Sequence, residues 1–397
     1  MTKSTFDDLV TLFDEHASMA DAVQQRIIEI DNKPERTKTF RKLPTREAAE
    51  LLGISDSYLR RLVLDEPDLP KGESVGTARR VFAVDEVHRI REWLASRNED
   101  ARYRPARRGE EALRVVTVCN FKGGAAKTTT AVHLAQYLAL HGWRVLLVDL
   151  DSQASATGMF GISADEEVGE TETFYGYVRG DVDQLSACIR KTYLPGLDLL
   201  PANLALYRVE FELPVRQIKE RTFRFWTLLR SGLESVQKDY DVVVCDCPPS
   251  LGYLTINALF ASNGLIIPVP PSMLDFASTG RFFRMLGDTL ADIRSFDPKS
   301  PPLLSFVRVL ISRFQPNDKN QQRIAAWMTS TFADGLMDAR MVHTTALDQA
   351  GNVKRTLYEL DPREGRRVLD RALEHLNGVN AEIRTLIEKS WGREDVR

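Results

Sequence analysis

No uninterrupted apolar run in these 397 residues reaches the roughly 18 needed for a transmembrane helix, so no span is predicted. The opening residues Met1-Thr2-Lys3-Ser4-Thr5-Phe6 lack the apolar core of a signal peptide. The last residues, Ser390 to Arg397, are short and mixed in charge and predict no amphipathic membrane anchor. Cysteine is scarce: Cys119, Cys188, Cys245 and Cys247. No His/Cys pair stands at zinc-ligand spacing, so the four read as small apolar side chains in a reducing, cytoplasmic setting. An excess of one charge is also missing. The 53 basic residues face 56 acidic ones, and a net charge of −3 excludes a polycation, so any nucleic-acid surface must be local. The length still suggests two or three domains with ample core.

Two glycines are missing from an otherwise recognisable loop. Residues 121–130 read Phe-Lys-Gly-Gly-Ala-Ala-Lys-Thr-Thr-Thr. The pattern G-x-x-x-x-G-K-[ST] asks for glycine at 121 and 126, where Phe121 and Ala126 stand. Lys122-Gly123-Gly124-Ala125-Ala126-Lys127-Thr128 remains. An apolar run, Val115 to Cys119, precedes it as a buried strand. A helical pattern follows, with Ala131, Leu134, Ala135 and Leu138 on one face. A glycine-rich turn between strand and helix gathers backbone N–H groups and the positive end of a helix dipole, a setting for phosphate. Residues 122–129 are therefore candidate nucleotide contacts. Lys127 is predicted to reach the terminal phosphates and the Thr128 hydroxyl to ligate Mg²⁺, with Thr129 beside it. The plain alternative is a strand–turn–helix that merely uses glycines.

Two further elements argue against that alternative. Val145-Leu146-Leu147-Val148-Asp149-Leu150-Asp151 reads as a second buried strand ending in carboxylates. Asp241-Val242-Val243-Val244-Cys245-Asp246-Cys247-Pro248-Pro249 reads as a third, with Asp246 placed to hold Mg²⁺ through water. Carboxylates at the C-terminal ends of parallel strands line the ligand crevice of such sheets. Strand candidates at 197–200, 265–269 and 306–311 and helices at 222–238, 275–293 and 366–389 complete an α/β pattern with a parallel sheet.

The N-terminal third is different. Residues 5–31 carry Phe6, Leu9, Val10, Phe13, Ala17, Ala20, Val23, Ile27 and Ile30 at three- and four-residue steps, one amphipathic helix. A lone helix of this kind needs a partner and reads as a dimerisation arm over residues 1–35. Residues 36–46 contain five basic residues and no acid. A helix capped by Thr45, a turn at Gly53 and a second helix capped by Ser55 form a helix-turn-helix pattern. A basic hairpin around Arg79 and Arg80 and a helix from Val84 to Ala95 follow. Residues 36–97 thus resemble a winged, MerR-like operator-binding domain. Arg46, Ser57, Tyr58, Arg60, Arg61, Arg79 and Arg80 are its candidate DNA contacts. Residues 98–112, polar and rich in arginine, read as a linker. They are either a solvated tether or a strip that lies along phosphates.

The deviant loop, the paired aspartates and the Asp-x-Pro-Pro segment together resemble the ParA/MinD family of phosphate-loop ATPases over residues 113–397. The closest likeness is to large ParA proteins with an N-terminal helix-turn-helix, as in repABC plasmid partition systems. Ser152 replaces the family's usual proline after Asp151, and Ala126 its usual glycine. The resemblance implies a homodimer with ATP and Mg²⁺ at the interface, and hydrolysis by in-line attack of water. It gives Asp151 the attacking water, Asp149 the Mg²⁺ shell, and Lys122 the phosphates of the partner subunit. Asn257 follows the switch loop, and Phe314 and Pro316 match a segment that flanks the adenine. Arg340, Lys354 and Arg355 are candidates for non-specific DNA binding. A ParB-like (RepB-type) centromere-binding protein is the implied partner, the nucleoid the implied location and autorepression the implied second role. A nucleotide-switched repressor with little turnover and a MinD-like positioning ATPase are the alternatives.

Overall fold

The computed structural model describes residues 5–31, 38–76, 79–361 and 366–393. The chain divides into two units, Met1–Lys38 and Thr39–Arg397. The first holds one helix, α1 (Phe6–Asp31). Thr5 and Asp8 start it reciprocally: the Thr5 N–H donates to Asp8 Oδ2 at 2.8 Å and the Asp8 N–H to Thr5 Oγ1 at 3.2 Å. Phe6, Val10, Phe13 and Val23 of the apolar stripe are exposed. The side chains of Ile27 and Ile30 lie outside the described residues.

The second unit opens with a small helical module. Helices α2 (Thr45–Leu52) and α3 (Asp56–Asp65) are joined at Gly53, whose φ of 67° is the left-handed conformation that glycine adopts without penalty. Ser55 caps α3 by accepting the Tyr58 N–H at 3.2 Å. Thr45 is not the cap of α2. Pro44 holds that place, and the Thr45 hydroxyl donates instead to the Arg80 carbonyl at 2.9 Å, because the chain arrives from a strand. That strand, β1 (Leu43–Pro44), pairs with β3 (Arg79–Phe82), which pairs in turn with β2 (Glu73–Val75), all antiparallel. Residues 77–78 lie outside the described residues. Helix α4 (Val84–Arg97) closes the module over a core of Leu43, Leu59, Val63, Phe82, Val87, Ile90 and Leu94.

Residues 98–112 are packed rather than free. Tyr103 is buried, the Arg104 guanidinium donates to the Ala95 carbonyl at 2.6 Å, and the Arg107 N–H donates to Asp241 Oδ1 at 3.2 Å. Arg393 donates to Glu111 Oε2 at 2.6 Å from the far end of the chain.

The remainder is built on a seven-stranded sheet of order β10-β9-β4-β8-β5-β7-β6. Its strands are β4 (Arg114–Val118), β5 (Val145–Asp149), β6 (Arg190–Lys191), β7 (Leu197–Leu200), β8 (Val242–Asp246), β9 (Gly264–Val269) and β10 (Phe306–Ile311). Neighbours run parallel except β6, a short antiparallel edge that no apolar run announces. The inner strands are buried on both faces, which is why they read as unbroken Val/Leu/Ile runs. Helix α5 (Lys127–Leu140) follows β4 and is buried on every side from Thr130 to Leu140. The helix expected at 222–238 is broken. A 3₁₀ turn at Phe225–Thr227 leads into a helix limited to Leu228–Glu234. The Ser235 hydroxyl then bonds back to the Gly232 carbonyl at 2.7 Å, and Arg144 takes the Lys238 carbonyl at 3.0 Å to steer the chain into β8. Helices Met273–Phe296 and Arg366–Ser390 extend slightly past their expected ends.

The N-terminal module is locked to α5 by a buried arginine. Arg91 on α4 donates to the Leu51 carbonyl at 2.7 Å and to the Leu140 carbonyl at 3.4 Å. Both acceptors lie in last helical turns, where carbonyls lack intrahelical partners and the helix dipole favours a cation. His88 adds a bond between its Nε2 and the Ala139 carbonyl at 2.9 Å. Gly142, at φ 86°, leaves the room: a Cβ there would stand 2.3 Å from Arg91 Nη1.

Candidate functional site: a nucleotide cleft

The parallel register places the chemistry. Asp149 and Asp246 are the last residues of adjacent strands and stand side by side, and Asp246 is level with Val118, where β4 gives way to the loop. Loop, carboxylates and helix N-terminus therefore meet at the C-terminal edge of the sheet. A cleft of about 350 Å³ opens there, with residues 123–129, Asp151, Ser155 and Pro249 on one side.

The loop is held from behind. The Asn120 amide donates to the Pro268 carbonyl at 2.7 Å, and its Oδ1 accepts the Lys122 N–H at 3.2 Å. Asn120 was not foreseen; its one signal is a polar residue at the end of an apolar strand. Phe121, where the standard pattern wants glycine, stacks on Phe282 at 5.6 Å and pins the loop to the helix Met273–Phe296. Gly124 takes a φ of 73° and Ala126 one of 69°. The family's glycine at the second position thus has a conformational reason, and Ala126 adopts the same left-handed turn with a methyl group in place. Lys127 is nearly buried and its ammonium donates to the Lys122 carbonyl at 3.2 Å, folded across the loop mouth. Thr128 and Thr129 follow on the first turn of α5 and line the cleft.

Asp246 is fully buried, and neither carboxylate oxygen has a protein hydrogen-bond partner. Burial, and next the Asp149 charge, push its pKa well above the carboxylate range, against the pull of the nearby Thr128 hydroxyl and then of Lys127. A buried carboxylate left without donors, behind the Thr128 hydroxyl and beside a phosphate loop, fits a hard divalent cation such as Mg²⁺. Asp149 is placed differently. It accepts the Thr157 N–H and hydroxyl, each at 2.8 Å, and the Asp151 N–H at 3.1 Å. Burial raises its pKa to about 7. It braces the turn that carries Asp151 and does not line the cleft. Asp151 does, half-buried, with Oδ1 accepting the Gln153 N–H at 3.0 Å.

Three expected contacts stand elsewhere. Asn257 is buried and turned inward, its Oδ1 on the Leu229 N–H at 3.2 Å and its amide on the Tyr253 carbonyl at 2.9 Å, so it ties two helices together. Phe314 is buried beneath Arg340, whose guanidinium lies 5.1 Å from the ring centroid, and Pro316 is exposed outside the cleft. The far wall is instead Arg313, Met341, Val342, His343, Leu347 and Asp348. Val342 pairs with Phe314 as an isolated bridge, a long-range contact with no local sequence signal. Glu210 is a further unforeseen residue. Its carboxylate accepts the N–H groups of Tyr253 at 2.9 Å and Leu254 at 3.1 Å, fixing the end of the loop that follows Asp246.

The candidate DNA contacts of the N-terminal module lie on three short elements, α2, α3 and β3. Arg60 is exposed and paired with Asp56 at 2.9 Å, Arg61 lies 5.6 Å over the Tyr58 ring, and Ser57 shares a hydrogen bond with Ser55 at 3.1 Å. Arg46 is exposed and paired with Glu50 at 2.9 Å, and Arg79 and Arg80 stand on β3. Lys354 and Arg355 are exposed at the end of the helix Thr345–Asn352, Lys354 with a φ of 50°.

Comparison with known proteins agrees with this geometry. Residues 113–294 match the family model described as "AAA domain". The chain is 40% identical to "Putative replication protein A" of Rhizobium rhizogenes over 97% of this chain and 96% of that protein. It is 32% identical to SopA of Escherichia coli K12 over 91% and 92%. It is also 32% identical to the chromosome partitioning protein ParA of Caulobacter vibrioides over 62% and 88%. Among solved structures, cobyrinic acid a,c-diamide synthase of Mycobacterium smegmatis with bound ATP analogue and magnesium is 28% identical. It aligns with a TM-score of 0.55 over 71% of this chain and 97% of that one. A structure titled "Partition Protein" shares the fold, with a TM-score of 0.55 over 92% and 99% at 18% identity. Likeness to the replication protein and SopA over most of the chain, and to ParA over 62% of it, together with the deviant phosphate loop and its strand-end aspartates, places this chain in the ParA family of DNA-partition ATPases.

Proposed function

We propose that this chain hydrolyses ATP slowly as a homodimer to move DNA copies apart, and represses its own operon through residues 36–97. The observation that carries the reading is the orphaned, buried Asp246 beside the phosphate loop. Asp246 and the Thr128 hydroxyl would hold Mg²⁺. When bound, that ion neutralises charge on the transferred phosphoryl group. The loop N–H groups cradle the phosphates, and Lys127 supplies a charge-assisted contact. Asp151, on a turn braced by Asp149, orients the attacking water. Lys122 acts on the partner subunit's nucleotide, so turnover follows assembly. The exposed stripe of α1 supports its role as a dimerisation arm. A ParB-like (RepB-type) centromere-binding protein is the proposed activator. Arg60 and Arg61 read operator DNA, and Arg340, Lys354 and Arg355 are the candidates for non-specific DNA contacts. Among the described residues no helix is long and apolar enough to cross a membrane. The nucleoid in the cytoplasm is the proposed location.

Four variants test this reading. Lys127→Ala loses tight ATP binding, and unchanged affinity would remove the phosphate-loop assignment. Asp151→Ala binds ATP and dimerises but does not turn over; full turnover would move the water-orienting role elsewhere. Arg60→Ala and Arg61→Ala weaken binding to the chain's own promoter and leave ATPase activity near normal. Unchanged promoter affinity in both would mean that α3 is not the recognition helix.

A further inference from the structure

We infer that Asp275 is a latch on Lys122: its carboxylate holds the lysine on its own chain and so sets how readily ATP closes two subunits into a working dimer. The latch rests on the homodimer reading above and is the contact that closure must break. Lys122 is paired with Asp275 Oδ1, with the lysine side chain 39% exposed and the carboxylate 12%. The carboxylate is therefore the fixed member of the pair, and the ammonium is the one able to leave.

Ser272 fixes the carboxylate. Its hydroxyl accepts the Asp275 N–H at 3.1 Å and also bonds Asp275 Oδ2, at the start of the helix Met273–Phe296. Oδ1 is buried and has no hydrogen-bond partner, so the Lys122 ammonium is what answers its charge. A buried carboxylate oxygen loses free energy when its one cation departs. The helix start itself does not need that charge. Ser272 caps it through the backbone N–H of residue 275, which asparagine would keep.

The loop end is fixed as well. The Lys122 N–H donates to Asn120 Oδ1 at 3.2 Å, and Phe121 stacks on Phe282 of the same helix at 5.6 Å. With loop and helix tied there, the pair opens by a swing of the Lys122 side chain alone. Lys127 is folded back too, its ammonium on the Lys122 carbonyl at 3.2 Å. Both lysines of the loop are thus held by their own chain. A pair this exposed is worth up to about fivefold in an equilibrium. Closure opens one pair in each subunit, so together they hold it back by up to about 25-fold. A triphosphate carries more negative charge than one carboxylate and draws the lysine across; a diphosphate draws it less. The latch sharpens the distinction between the two nucleotides.

The test measures ATP turnover and unfolding temperature on the full chain with Mg²⁺ present. The release rate of a fluorescent, non-hydrolysable ATP analogue reads closure. Asp275→Asn should raise turnover severalfold, by up to about 25-fold, and slow that release at an unchanged unfolding temperature. Asp275→Glu keeps the charge and should stay near wild type. Lys122→Ala combined with Asp275→Asn should show no gain, because the group to be released is gone. Unchanged turnover and release in Asp275→Asn overturn the inference. So does a fall in turnover, which would make Asp275 a support of the lysine, and so does a gain that survives Lys122→Ala or appears equally in Asp275→Glu. If Lys122→Ala alone turns over normally, the trans reading fails first. If it is inactive while Asp275→Asn is unmoved, the latch alone fails.

Discussion

Lys122 is ion-paired with Asp275 of its own chain, at the start of the helix Met273–Phe296. Asp275 is held in place by Ser272, whose hydroxyl caps that helix by accepting the Asp275 N–H at 3.1 Å. In the single chain, then, the lysine expected to face a partner is turned onto a carboxylate, and its side chain is 39% exposed. Serving a second subunit requires that this pair open. Mixing tests the trans role. Lys122→Ala and Lys127→Ala are each inactive alone. A heterodimer restores one active site, with the intact Lys122 of one subunit serving the intact Lys127 pocket of the other. Heterodimers that form but stay fully inactive would rule the trans role out.

Ala126 carries a φ of 69° that a glycine would adopt without penalty. A left-handed alanine costs about 1 kcal/mol. Ala126→Gly should stabilise the chain by about that much, less the entropy a glycine adds to the unfolded state. Thermal unfolding reads the change. ATP affinity should hold or improve, because the N–H groups keep their directions. A clear destabilisation would mean that the methyl group packs usefully.

Arg91 places a cation against the carbonyls of Leu51 and Leu140 with 4% of its surface exposed. Burial, its first cause, and the Arg384 charge lower its pKa to about 10, so it remains protonated at neutral pH. Arg91→Met keeps the volume and orphans both carbonyls. The expected loss is roughly 2–4 kcal/mol, since charged hydrogen bonds go and buried acceptors lose their partners. Limited proteolysis should show earlier cutting in residues 98–112. Protease resistance equal to wild type would show that other contacts hold the module.

His133 gives a pH dependence with a definite sign. Its Nδ1 bonds the Thr129 carbonyl at 2.7 Å and its Nε2 accepts the Leu357 N–H at 3.2 Å, an arrangement open to the neutral ring alone. Burial lowers its pKa from 6.5 to about 4. The unfolded chain therefore binds the extra proton first. The stability this group contributes is full above pH 6.5 and is lost as pH falls toward 4. The half-buried His88, lowered to about 4 by burial and then by Arg91, acts in the same direction. Unfolding temperature should drop between pH 7 and pH 5, and His133→Gln should flatten that drop. An unchanged slope in the variant would assign the effect to other groups.

Local sequence determined the parts whose physics is local. Unbroken apolar runs marked the inner strands, because a strand covered on both faces has no polar side to show. Gly53 and Ser55 marked a turn and a cap, each a conformation set within a few residues. Loop and strand-end aspartates were legible for the same reason: Gly123 to Thr128 come shortly after an apolar strand, and Asp246 ends one. Tertiary structure decided what depends on distant partners. It moved the far wall of the cleft from Phe314 and Pro316 to Met341 through Asp348, because a bridge between Phe314 and Val342 turns one ring inward. It turned Asn257 into a brace between helices and set Asp149 behind Asp151, since only neighbouring elements reveal which donors a buried carbonyl or carboxylate meets. Nothing local sets Arg91 apart from other helical arginines; two helix ends converge on it from 40 and 49 residues away. Periodicity records which face of an element is buried; what it is buried against is written in the packing.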